Sequence, residues 1–66
     1  MRDPARIDRI LALLREVWIG APDQRIGQLI NNAHSMSGLS SGVPMFHVED
    51  DVIEDGLSTW IAGRRT

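Results

Sequence analysis

Apolar residues recur along the first third of the chain at helical steps: Ile7, Ile10, Leu11, Leu14, Val17 and Trp18 fall three and four positions apart and draw one stripe along a helix of about four turns. Leu13 lies just off that stripe, and Asp8, Arg9, Arg15 and Glu16 occupy the opposite face. Asp3 is placed to accept from the orphan N–H groups of the first turn, Pro4 suits the first helical position, and Gly20 with Pro22 supplies a stop. The pattern predicts a helix over 4–19. Asp23, after Pro22, has the chemistry of an N-cap for a second helix over 24–34, whose apolar positions are Ile26, Leu29, Ile30 and Ala33. The short link Gly20–Asp23 favours a helical hairpin packed stripe to stripe. Asn31 and Asn32 are candidate C-terminal caps of that second helix.

Residues 35–45 carry four serines, two glycines and a proline without periodicity, so a flexible Ser/Gly loop is expected there. Phe46, His47 and Val48 alternate apolar, polar, apolar, which predicts a short extended stretch with both apolar side chains reaching the core. A third helix is expected over 51–62, with Ile53, Leu57, Trp60 and Ile61 on one face and Gly63 as its stop. Glu49, Asp50, Asp51, Glu54 and Asp55 gather at its positive end, and Arg64 and Arg65 follow its negative end, as the macrodipole favours. Gly27 and Gly56 both sit beside buried stripes. Glycine costs a helix roughly 0.8–1 kcal/mol relative to alanine, so each suggests a close approach by another backbone, with a mere surface weakness as the alternative at Gly56. The fold class that follows is all-α: one compact three-helix domain over 1–66.

Size sharpens this picture. A chain of 66 residues, 42% of them hydrophobic, has room for one core, and at that length folding buries only about 60% of the unfolded surface. There is no cysteine, which removes disulfides, thiolate metal sites and a cysteine nucleophile from consideration and suits a reducing, cytoplasmic setting. Arg2, Asp3 and Pro4 follow Met1 where a secretory signal would have an apolar run, and no stretch approaches the roughly 20 apolar residues of a membrane span. With no internal staple, self-association is the cheapest route to more buried surface, and a homodimer is expected. Trp18 and Trp60 read first as core residues; because both lie on helix stripes that are wide for so small a monomer, the part left over at Leu13, Trp18, Trp60 and Ile61 is where the interface is expected.

Candidate chemistry is sparse. His47 with Glu49, Asp50 and Asp51 could in principle hold a divalent ion, yet no known ligand spacing is present, since His34 is thirteen residues away. The acidic cluster is explained by the start of a helix alone. Neither histidine stands in a nucleophile or acid–base motif, and Ser35, Ser37, Ser40 and Ser41 lie outside any nucleophile elbow. The chain is therefore expected not to be an enzyme and to need no cofactor. Small three-helix domains often bind DNA, and Arg6, Arg9 and Arg25, with Arg2 and an Arg64–Arg65 tail, would carry that alternative. Against it stand seven arginines, no lysine, nine acidic residues and a net charge of -2. A small-ligand site lined by Trp18, Trp60 and Phe46 is a third possibility.

The opening Met1-Arg2-Asp3-Pro4-Ala5-Arg6-Ile7, the stretch from Trp18 through Pro22-Asp23-Gln24-Arg25-Ile26-Gly27-Gln28-Leu29-Ile30-Asn31-Asn32, and Phe46-His47-Val48-Glu49-Asp50-Asp51 resemble a family of small bacterial proteins of mobile elements, of the prophage and integron gene cassette type. The similarity covers nearly the whole chain, and Pro-Asp-x-Arg-x-Gly-Gln-Leu is its most specific part. The Ser/Gly loop at 35–45 is where this sequence departs from the family. The resemblance implies a small autonomous protein carried as mobile-element cargo, and no catalytic residue comes with it.

Overall fold

The computed structural model describes residues 3–39, 42 and 44–64. Arg2 and Arg65 of the arginine group, and Ser40, Ser41 and Val43 of the loop, lie outside the described residues. Three helices are formed: α1 over Ala5–Gly20, α2 over Ile26–Met36 and α3 over Asp50–Arg64, with a 3-10 turn at Met45–His47 before α3. Among the described residues there is no strand and no helix long and apolar enough to cross a membrane.

The start of α1 follows its sequence signal, because Asp3 Oδ1 accepts from the Ala5 N–H at 2.9 Å and so satisfies one orphan donor. Its end is built by side-chain contacts, one from α1 itself and one from α3. The Trp18 indole Nε1–H donates to the Gln24 carbonyl at 2.9 Å, and the Gln24 N–H donates to the Ala21 carbonyl at 3.1 Å, which folds Ala21–Gln24 into a tight turn. Arg64 reaches back and donates to the Glu16 carbonyl at 3.4 Å, and its guanidinium lies where a side chain on Gly20 would be.

That turn corrects the expected start of α2. Asp23 belongs to the link and does not cap the helix; Arg25, in extended conformation, is the N-cap residue, and the Gln28 side chain folds back to accept from the Arg25 N–H at 2.8 Å. This is the glutamine half of a capping box. α2 also runs on to Met36, so Asn31 and Asn32 lie inside the helix instead of capping it, and Asn32 Nδ2 donates to Gln24 Oε1 at 3.2 Å. The end of α2 is held by α3: Ser37 Oγ and the Gly38 N–H both donate to Asp55 Oδ2, at 3.0 and 2.9 Å, while Ser37 Oγ accepts from the Leu39 N–H.

The expected extended stretch at Phe46–Val48 is instead a 3-10 turn, closed by His47 N–H to Pro44 carbonyl and Val48 N–H to Met45 carbonyl bonds of 2.8 and 3.1 Å. At three residues per turn, positions two apart point in different directions. Val48 is half-buried, and Phe46 is 92% exposed. α3 starts within one residue of expectation and passes through Gly63 to Arg64. The tail of that helix therefore needs no glycine stop.

The core is Val17 from α1, Leu29 and Ala33 from α2, and Leu57 and Ile61 from α3, with Ile10, Leu13, Leu14, Ile53 and Trp60 packed against it. The hairpin expectation is corrected here as well, since α1 and α2 touch least and α3 packs on both, most extensively on α2. At that crossing Gly56 meets the Ala33 carbonyl: a Cβ on Gly56 would lie 1.7 Å from its oxygen. The close approach expected at Gly56 is present, whereas Gly27 is exposed and nothing lies within 4 Å of a Cβ built there.

Candidate interaction surface

The apolar stripe of α1 divides into two faces. Ile10, Leu13, Leu14 and Val17 turn toward the core, while Ile7, Leu11, Trp18 and Ile19 stay in solvent at 49, 56, 37 and 60% exposure. Helical geometry accounts for the split: Ile7, Leu11, Leu14 and Trp18 follow a 4-3-4 spacing that forms one row, centred about 90° around the helix from the core-facing one, and half-buried Leu14 sits on the boundary and belongs to both. α3 meets α1 along the core-facing row and fixes which row is inward. There the Arg6 Nε–H donates to Asp50 Oδ2 at 2.7 Å, and Arg9 grips Glu54 through Nε and through Nη2, the latter at 3.1 Å to Oε1.

The outward row ends in a groove of about 370 Å³ formed by Leu11, Leu14, Arg15, Trp18, Ile19 and Pro22. Trp18 has its one polar atom satisfied by Gln24, so the ring offers only apolar surface to the groove. Isolated apolar side chains are common on protein surfaces; Ile7, Leu11 and Trp18 exposed in register along one helix, with half-buried Leu14 between them, make a contiguous patch of the kind that binds partners.

The other residues singled out by sequence are dispersed. Of the expected interface set, Trp18 lines the groove, Leu13 and Trp60 are half-buried against the core, and Ile61 is a core residue at 6% exposure. Ile7 and Leu11 belong to the apolar stripe of the sequence, which merges two rows into one, and Ile19 lies off it. Arg6 and Arg9 are engaged with α3 carboxylates, and Arg25 opens α2. Pairing explains the electrostatics of the second bridge: its hydrogen bond to Arg9, reinforced by that positive charge, holds the Glu54 carboxyl below the usual range, and the same contact raises the Arg9 guanidinium further.

His47 is exposed, with its ring edge-on to Phe46 at 5.2 Å. Glu49, Asp50 and Asp51 line a shallow polar recess together with Arg6. Among the described residues, no three His, Asp or Glu side chains converge as a metal-ligand set. The groove at Trp18 includes neither Trp60 nor Phe46. Comparison of the chain with protein-family models, with curated proteins and with solved structures finds no match.

Proposed function

We propose that this chain is a small, non-enzymatic interaction protein of the cytoplasm that works as a homodimer and is carried as cargo of a bacterial mobile element. One observation carries the reading: the outward row of α1, Ile7, Leu11 and Trp18 with Ile19 beside it, is apolar, contiguous and left uncovered by the described residues. Burying it supplies apolar contact that a 66-residue core cannot provide by itself. The lack of cysteine supports a reducing compartment, and the motif resemblance at Met1–Ile7 and Pro22–Asn32 supports the mobile-element origin. For nucleic acid to bind through Arg6 and Arg9, a phosphate would have to displace Asp50 and Glu54, so that alternative gains no support from their positions.

Light scattering tests the reading directly. The wild-type chain is expected to show twice its 7.4 kDa mass at tens of micromolar. Leu11→Asp places a charge at a position more than half exposed in the single chain, so it is expected to yield a helical monomer. A well-folded wild-type monomer at that concentration overturns the proposal.

A further inference from the structure

The outward face of α1 carries a charge pattern as well as an apolar one. Asp8 and Arg15 each follow a member of the row by one residue, Ile7 and Leu14, and therefore flank the row along the same edge. They are seven residues apart, two helical turns or about 10 Å along the axis. Both are exposed, and neither forms an ion pair with a described residue, in contrast to Arg6 and Arg9 on the other side of the same helix.

This edge is complementary to itself under one symmetry operation. A two-fold axis crossing α1 between Leu11 and Leu14 runs a second α1 antiparallel to the first. It sets Leu11 against the partner's Leu14 and Ile7 against the partner's Trp18, so that the groove at Trp18 receives the start of the other helix. The same operation keeps each charged edge beside its copy. Asp8 then falls within about two residues, or 3 Å along the axis, of the partner's Arg15, and Arg15 of the partner's Asp8. A parallel pair, related by a two-fold along the helix axes, would instead put the two charged edges on opposite rims of the contact, where Asp8 and Arg15 do not face one another. From this geometry we infer that the occupant of the α1 face is a second copy of this chain, docked antiparallel through α1 with two symmetry-related Asp8–Arg15 ion pairs setting the register.

The inference rests on the homodimer reading and adds to it the surface, the direction and the register. An isologous contact of this kind is self-complementary by construction. Opposite charges at the rim of an apolar strip select register and orientation more than they add affinity. α3 docks beside the core-facing row, where Arg6 and Arg9 are engaged, and borders the outward face only at its ends, Asp50 next to Ile7 and Leu11 and Arg64 next to Arg15 and Ile19; Ile7, Leu11 and Trp18 themselves stay exposed.

Charge exchange tests it, with the dimer dissociation constant read by sedimentation equilibrium at low salt and circular dichroism confirming unchanged helicity. Asp8→Arg alone and Arg15→Asp alone each turn two attractions into two repulsions, and each is expected to weaken the dimer about tenfold. The doubly exchanged chain, Asp8→Arg with Arg15→Asp, is expected to return to within about threefold of wild type, as is an equimolar mixture of the two single variants. These differences are expected to shrink as salt is raised. If the wild type is a dimer but the single exchanges leave it unchanged, or the doubly exchanged chain stays weak, the antiparallel register is overturned while self-association stands. A wild-type monomer overturns both.

Discussion

The α2–α3 seam and the outward face of α1 share a helical spacing of apolar positions and come to opposite ends. At the seam, small residues bring two backbones together: Gly56 lies against the Ala33 carbonyl, Leu29 and Leu57 are fully buried, and Ser37, itself nearly buried, is tied to Asp55. On α1, large side chains at the same kind of spacing face solvent. The difference teaches that in a chain this short the core is closed by the elements that can approach most closely, and bulky apolar residues left over become surface. The seam has no room to change, whereas the outward face has room to receive.

That contrast can be broken most severely at Gly56. Gly56→Ala forces a Cβ onto a backbone oxygen, and the helices must separate, so a loss above about 3 kcal/mol is expected, comparable to the whole stability of a domain of this size. Urea denaturation followed by circular dichroism measures it; a stability equal to wild type would show that the crossing is looser than described. The contrast is sharpened by one chemical change made on both sides. Leu57→Ala, at a fully buried site, is expected to cost about 3 kcal/mol. Leu11→Ala, at a site 56% exposed, is expected to change the unfolding of the dilute monomer by less than about 0.5 kcal/mol, with its main effect on self-association.

The smallest effect concerns the bridge that turns α1. Glu54 titrates below its usual range because it accepts from Arg9, so its contribution is present in full above the ordinary carboxylate range and is lost as pH falls through the lowered value. Glu54→Gln should therefore lower the melting temperature slightly near neutral pH, with the gap to wild type closing in acid. A gap that widens in acid would contradict the assigned direction.

Much of the architecture was legible because three apolar periodicities, Asp3 before Pro4 and the acidic start of α3 all point to the same elements. The misplacements have physical causes. Asp23 is a good cap by type, but Trp18 drew the Gln24 carbonyl into a turn and left Gln28 to close the helix two residues later. Gly27 and Gly56 invite the same argument, and only tertiary packing distinguishes the glycine that meets a backbone from the one that meets solvent. Phe46 and Val48 alternate like a strand, yet three residues with no neighbouring strand to pair with took a local 3-10 turn. The α1 surface was half legible. Trp18 stands out by size and position, but the stripe is wide enough for two faces, and nothing local in the sequence says which row α3 will cover.

The indole of Trp18, anchored to the Gln24 carbonyl, bears on kinetics as well as shape. A ring held by a bond within its own chain adopts one rotamer before any encounter, and its ordering is completed when the monomer folds. A helix docking there, as proposed, would meet a groove already formed. Capture through such a surface is governed by how often two chains collide in the right orientation, with no search among side-chain conformations after contact.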